Sequence, residues 1–117
     1  MRSVNFYRLS NGKSPTEEFL DSLTGKQAQK VLWVLQLIEE LDVIPRQYFK
    51  KLIDSEGIWE VRIQFGNDIF RLLGFFDSGT LLILTNGFVK KNQKTPPQEI
   101  ALAVRRKEEY LARRKKT

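Results

Sequence analysis

The feature that most constrains the fold is a run of three strand-like patterns between residues 57 and 89. The first, GIWEVRIQF, alternates apolar and polar residues, which puts apolar side chains on one face of a strand and charged ones on the other. The turn GND separates it from IFRLLGFF, and DSG separates that segment from TLLILTNGFV. Strands joined by such short turns are antiparallel neighbours. The pattern therefore predicts an antiparallel meander of three strands.

Helix signals flank this meander. The strand-like VNFYRL is followed by Ser14-Pro15-Thr16-Glu17, which has a Ser N-cap and Pro at the first helical position and opens a helix to about Leu23. Thr24-Gly25-Lys26-Gln27 repeats the capping-box form and opens a helix to about Leu41, and Thr95-Pro96-Pro97-Gln98 offers a third start. The order predicts a single small α+β domain over residues 1–117.

The second helix has a clear buried stripe and one misplaced aromatic residue. Apolar residues recur at helical spacing at Val31, Val34, Leu35 and Ile38. Trp33 falls instead among glutamines and a glutamate on the more polar side. It either packs at the margin of the stripe or marks a surface that a partner covers.

Composition excludes several kinds of chemistry. The chain has no cysteine and no histidine, so it has no disulfide framework, no thiolate ligand and no imidazole for proton transfer at neutral pH. We expect no metal and no cofactor. Its first residues lack the apolar core of a signal peptide, and no apolar stretch approaches the roughly 20 residues of a membrane span. The expectation is a soluble domain in the cytoplasm without a membrane partner.

The positive charge is concentrated at one end of the chain. Up to Val89 there are ten Lys or Arg against eleven Asp or Glu, whereas from Lys90 onward there are ten against three. This excess suits an anionic partner, but a basic tail that only keeps the protein dispersed explains it equally well.

Strand pairing places the arginines. With Gly66-Asn67 as a two-residue loop, Arg62 lies directly opposite Arg71, and the apolar residues of both strands share the other face. With Ser78-Gly79 as the next loop, Arg71 lies opposite Asn86. These three residues are predicted to form one row, with Lys90 beyond its end on the same face.

Two arginines directly opposite each other repel, so a negative group is expected between them. Glu60, two residues from Arg62 on the same face, is one candidate. A bound anion is the other, and the surplus of positive charge favours it. The two arginines already outnumber the one carboxylate, and the nearby lysines Lys90, Lys91 and Lys94 add to the positive charge.

Two segments carry a family resemblance. GIWEVRIQFGNDIFRLLGFF followed by LLILTNGFVKKNQKTPPQEI resembles the phage-derived, HigB-like branch of the RelE/ParE toxin superfamily. The most specific part combines W-E-V-R, an arginine in the middle of the next strand, and G-F-V-K-K-x-x-K-T-P. The resemblance extends over nearly the whole chain.

The resemblance implies a toxin of a type II toxin–antitoxin pair that enters the ribosomal A site and cuts messenger RNA. It implies a RelE-like fold, in which helices pack on a curved antiparallel sheet. Carried over by motif, Arg71 is the mid-strand arginine, and Lys90, Lys91 and Lys94 form the basic loop. Glu60 and Arg62 match the charged pair of W-E-V-R. Related chains often have His at the position of Asn86.

Without histidine, the roles are assigned by chemistry. Arg71 and Arg62 suit a phosphate clamp, because a guanidinium holds phosphate oxygens in a bidentate way. Lys90 or Lys94 is the candidate proton-transfer group, since a lysine crowded by cations has a lowered pKa. Glu60 is the alternative base. Catalytic roles are thus expected for Arg71, Lys90, Lys94 and Glu60, and RNA or phosphate binding for Arg62, Lys91 and Asn86.

The partners follow from the same resemblance. It implies a helix-turn-helix, HigA-like antitoxin, with operator DNA bound only through that antitoxin. Trp33 and Leu37 are the residues expected to contact it. Two other functions stay open on the sequence alone: a ParE-like inhibitor of DNA gyrase and an anion-binding accessory protein without activity. The basic row favours the nuclease, because inhibiting gyrase needs no phosphate clamp.

Overall fold

The computed structural model describes residues 1–91 and 94–115. The elements are β1 (Ser3–Phe6), α1 (Pro15–Asp21), α2 (Gly25–Glu40), β2 (Phe49–Lys51), β3 (Trp59–Phe65), β4 (Asp68–Asp77), β5 (Leu81–Val89) and α3 (Pro97–Lys115). The predicted α+β class is confirmed, since the described residues form three helices and one mixed sheet. No helix in the described part of the chain is both long and apolar enough to cross a membrane.

The five strands lie in the order β1-β5-β4-β3-β2. The predicted meander forms its centre, and β1 pairs with β5 in parallel, Ser3 opposite Leu81. β2 is an edge strand paired antiparallel with β3, with Lys50 opposite Glu60. The sequence did not predict β2, because three residues are too short to show an alternating pattern.

The first hairpin has the predicted register. Phe65 pairs with Asp68 across a loop of Gly66 and Asn67, and Arg62 lies opposite Arg71. Gly66 has a φ of 61°, which glycine adopts without strain.

The second hairpin differs from the prediction. Asp77 pairs with Leu81, so the loop has one residue more than Ser78-Gly79, and a bulge follows between Leu73 and Gly74. Together the two irregularities shift the register by two residues. Arg71 consequently pairs with Phe88, and Asn86 pairs with Leu73. Because a shift of two keeps each side chain on its face, Asn86 stays on the predicted face but one row away.

Helices cover both faces of the sheet. The first core cluster joins the α2 stripe to apolar residues of β3, β4 and β5, and it contains all four predicted stripe residues: Val31, Val34, Leu35 and Ile38. The second cluster lies under α3 and includes Leu73, Phe75 and Ala103. The charged residues of β3 therefore lie on the side of the sheet that α3 covers only in part, which is called the α3 face below.

All three predicted helix starts are confirmed, and two of the three predicted caps are. The Ser14 hydroxyl accepts a hydrogen bond from the Glu17 amide at 3.2 Å, and Thr24 and Gln27 form a reciprocal capping box. The third predicted cap was wrong. α3 begins within the predicted segment, at Pro97, but the Thr95 hydroxyl donates to the Glu60 carboxylate instead of capping the helix.

Candidate functional site

The arginine pair is built around one carboxylate. Glu60 Oε1 lies 3.0 Å from Arg62 Nε and 3.4 Å from Arg71 Nε. The carboxylate therefore compensates the repulsion that two arginines at directly paired positions produce. The sequence favoured a bound anion over Glu60 for this role, and the structure places Glu60 there.

The three charged side chains of this pair and its carboxylate differ in how deeply they are buried. The Glu60 side chain is 1% exposed, that of Arg71 is 12% and that of Arg62 is 28%. A buried carboxylate is tolerated only when its oxygens are paired. Glu60 satisfies this requirement, because Oε1 accepts a hydrogen bond from Arg62 and forms an ion pair with Arg71, and Oε2 accepts a hydrogen bond from the Thr95 hydroxyl. Both oxygens of the carboxylate are thus occupied.

Arg71 has unused hydrogen-bonding capacity. Its Nη1 donates to the Phe70 carbonyl at 3.0 Å. Its buried Nε has no aligned hydrogen-bond acceptor among the described residues, although Glu60 lies near. Burial lowers the pKa of Arg71, the Glu60 charge opposes that change, and Arg62 adds to it. A guanidinium always stays charged in proteins, so the lowered pKa reports an environment in which its charge is incompletely compensated.

Lys90 follows directly after β5. Its amide donates to the Ile69 carbonyl at 2.8 Å, which extends the ladder with β4 and fixes the backbone here. Burial lowers the pKa of Lys90, and the charge of Arg71 lowers it further, against the opposing effect of Glu60. The charge of Arg62 acts in the same direction as that of Arg71. The lowered pKa agrees in direction with the expectation, but its largest single cause is burial and not the charge of a neighbouring cation.

Lys50 is a basic residue of this cluster that sequence reasoning missed. It lies opposite Glu60 in β2, and its charge contributes to the lowered pKa of Lys90. Only the pairing of β2 with β3 shows that Lys50 belongs to the cluster. Nothing in the segment YFKKL distinguishes Lys50 and Lys51 from two solvent-exposed lysines. Among the described residues, the cluster has four cations, Lys50, Arg62, Arg71 and Lys90, against the one carboxylate of Glu60.

Asn86 does not lie in the arginine row. It is 4% exposed, and its amide nitrogen donates to Glu99 Oε1 of α3 at 3.0 Å. Its amide oxygen accepts from the Thr85 hydroxyl at 2.6 Å. The predicted row of Arg62, Arg71 and Asn86 is therefore corrected to Arg62, Arg71 and Phe88.

The remaining predicted residues lie around the cluster or away from it. Lys91 and Lys94 are exposed, and Lys94 directly precedes Thr95; the two residues between the lysines lie outside the described range. Trp33 and Leu37 lie on α2, across the sheet from the arginines. Trp33 is 45% exposed and packs edge-on against Tyr48, while Leu37 is partly buried.

The arrangement has the chemistry of an anion site. In the described part of the chain, no group of three or more His, Cys, Asp or Glu side chains is placed to hold a metal ion. The cluster instead offers guanidinium and ammonium donors beside a basic segment. Such donors bind phosphate oxygens directly.

A family comparison covers most of this architecture. The family model described as "Phage derived protein Gp49-like (DUF891)" matches residues 18–108, which include α2, the meander and most of α3. No curated protein matches the chain. Since the match covers well over half of its residues, the chain belongs to the phage-derived Gp49-like family, within the RelE/Gp49 toxins.

Proposed function

We propose that the protein is the toxin of a type II toxin–antitoxin pair and that it cuts messenger RNA on the ribosome. The observation that carries the proposal is the convergence of Arg62, Arg71 and Lys90 around one buried carboxylate. The cluster retains excess positive charge, and it adjoins the basic segment that contains Lys91 and Lys94. A phosphodiester backbone supplies the complementary charge.

Cleavage without a metal requires the 2′-OH to attack the adjacent phosphorus while the 5′-oxygen leaves. Negative charge builds on the phosphate oxygens in the transition state. In the proposal, Arg71 and Arg62 hold those oxygens, since preorganised donors aimed at developing charge lower the barrier.

Lys90 is the proposed proton-transfer group. Its lowered pKa brings the neutral amine closer to the working pH, where a group can both accept and return a proton. Lys94 and Lys91, which are exposed beside the cluster, are proposed to bind the backbone, with Lys94 the second candidate for proton transfer. The ribosome would align the substrate, so a site with few catalytic groups suffices.

Glu60 takes a positioning role in this proposal. It was expected as an alternative base, but its side chain is buried and both of its oxygens are engaged. It therefore orients the two arginines and connects them to Thr95. Asn86, expected to bind phosphate, is buried and bonded to Glu99 of α3, so we assign it to holding that helix on the sheet.

The rest of the proposal extends the family membership by the resemblance in the sequence. Residues 1–117 are proposed to form one RelE-like domain of the HigB-like branch, acting in the cytoplasm where ribosomes are found. A toxin of this kind requires an antitoxin. We propose a HigA-like antitoxin with a helix-turn-helix domain, which contacts Trp33 and Leu37 and provides the link to operator DNA.

Induction in a host strain tests the function. The protein should stop incorporation of labelled methionine, and translated transcripts should acquire new 5′ ends that depend on active ribosomes. The Arg71→Ala variant, shown to be folded, should produce neither effect. Arrest of DNA synthesis first, with intact transcripts, would instead support the ParE-like function and reject the nuclease.

A further inference from the structure

A cavity of about 650 Å³ opens on the α2 side of the sheet, near the edge strand β2. It lies between the loop of residues 42–46 and the ends of β2, β3 and β4. α2 ends at Glu40, so the helix itself does not cover this end of the sheet. The volume is in the range of small-ligand sites, about 300–1,000 Å³.

Aromatic rings line the cavity. Phe49 and Trp59 stack with ring centroids 4.8 Å apart and planes 17° apart. Phe76 meets Trp59 edge-on, with centroids 5.5 Å apart. Phe49 is buried, whereas Trp59 and Phe76 are partly exposed. The stack on Phe49 fixes the plane of the indole, which is the preorganisation that a flat ligand requires.

The rim of the cavity is basic. Arg46, Lys50 and Lys51 line it, and none of them forms an ion pair within residues 1–91 and 94–115. The guanidinium of Arg2 also lies here, but it donates to the backbone carbonyls that end α2. Asp42 is the one acidic lining residue. An apolar peptide side chain would leave these cations unused, whereas a nucleotide uses rings and cations together.

The cavity is connected to the arginine cluster. Arg62 Nη1 donates to the Arg46 carbonyl at 3.4 Å. Lys50 lines the cavity and also contributes to the field at Lys90. The short strand β2 thus separates the two features, and a single strand of RNA that leaves the arginines can pass over that edge.

We propose that this cavity binds a base of the single-stranded RNA whose phosphate the arginine cluster holds. The base packs on Trp59 and Phe76, and its phosphate lies against Lys51 and Arg46. The inference rests on the proposed function and adds to it a second nucleotide contact outside the cleavage site.

Tryptophan fluorescence tests the contact. The chain has two tryptophans, so Trp33→Phe leaves Trp59 as the only reporter. The probe is a 2′-O-methyl RNA hexamer, which lacks the attacking hydroxyl and cannot be cut. It should quench Trp59 emission in a saturable way, and inorganic polyphosphate should not. Lys51→Glu should weaken the hexamer titration several-fold more than Lys26→Glu, a matched charge reversal at the far end of α2.

Four results would overturn the inference or separate it from the proposed function. Binding of the hexamer that depends on Arg71 but leaves Trp59 emission unchanged rejects the cavity and keeps the arginine site. If adenosine monophosphate quenches Trp59 emission and the hexamer does not, the cavity is a site for free nucleotides. If only the antitoxin quenches it, the cavity is a protein-binding site. If the hexamer quenches Trp59 emission but transcripts in a translating extract stay uncut, the proposed nuclease activity is rejected and the proposed base contact is retained.

Discussion

At the scale of single residues, a substitution at Arg71 distinguishes the effect of its positive charge from the effect of its planar guanidinium group. Arg71→Lys keeps a cation beside Glu60, so folding should survive, but an ammonium cannot hold two phosphate oxygens in one plane. Loss of one transition-state donor reduces catalysis by about 100-fold or more. Methionine incorporation in a translating extract measures the effect, and a circular dichroism melt verifies the fold. Arg8→Lys, at an exposed arginine paired with Glu17, is the matched control. A folded Arg71→Lys protein with full potency would remove Arg71 from the site.

Lys90 allows a test based on pH. Burial and Arg71 lower its pKa, so the neutral amine forms at lower pH than in a free lysine. If that amine is the base, single-turnover cleavage should rise with pH and level off at the lowered pKa. Lys90→Arg keeps the charge but holds its proton far more tightly, so it should bind RNA normally and cleave poorly. Lys90→Met should lose both. A Lys90→Arg protein with the same pH profile as the unchanged chain would show that another group transfers the proton.

At the scale of elements, the sequence predicted the pairing of Arg62 with Arg71 because a two-residue loop and strict alternation leave one register. The register predicted for the next hairpin, between β4 and β5, was wrong. A three-residue loop and a bulge at Gly74 have no unique sequence signature, and their combined shift preserves the face of Asn86 while moving its row. Thr95 was misassigned for a related reason. Its motif fits a helix cap, but a long-range contact with Glu60 uses the hydroxyl instead.

The close approach of β4 and β5 beside the bulge can be tested at Gly74. A Cβ on Gly74 would lie 2.4 Å from the Ile83 carbonyl oxygen, a backbone atom that cannot move without disturbing β5. Gly74→Ala should therefore lower the free energy of unfolding by about 1–3 kcal/mol. Gly25→Ala, where nothing lies within 4 Å, should raise it by about 0.4–1 kcal/mol. Urea unfolding of both variants measures the difference. Equal midpoints would show that β4 and β5 do not approach so closely at Gly74.

At the scale of the whole molecule, the charge asymmetry has a place in the fold. Of the excess cations after β5, Lys90 belongs to the arginine cluster and Lys91 follows it directly. Those of α3 lie elsewhere, where Arg106 donates to the Thr85 carbonyl and Arg113 pairs with Glu109. Neutralising Lys90, Lys91 and Lys94 should reduce the salt slope of RNA binding by about 0.7 for each phosphate that the protein no longer neutralises. Adding Lys50→Gln should reduce it further. Glutamines at Lys13, Lys26 and Lys115, all exposed, remove the same charge and should leave the slope nearly unchanged.

The two sides of the sheet divide the proposed contacts of the toxin. The arginine cluster lies on the α3 face, whereas Trp33 lies on α2, where Lys30 Nζ sits 4.7 Å from its ring centroid. An antitoxin bound at α2 would exclude the protein from the ribosome by its bulk and would leave the arginines uncovered. Trp33→Glu should then weaken antitoxin binding and preserve toxicity, as measured by co-purification and by growth after induction.

Leu32→Glu provides the control for this last prediction. Leu32 is 52% exposed on the same helix, but it lines the groove beside β1 and so points away from Trp33 and Tyr48. Equal losses of antitoxin in the two variants would indicate a general effect of acidic charge on α2. If antitoxin binding instead survives Trp33→Glu and is abolished by Arg62→Glu, the antitoxin occupies the arginine cluster. Neutralisation would then act by direct competition with RNA, because a segment bound at the exposed ends of the arginines occupies the space that the phosphate requires.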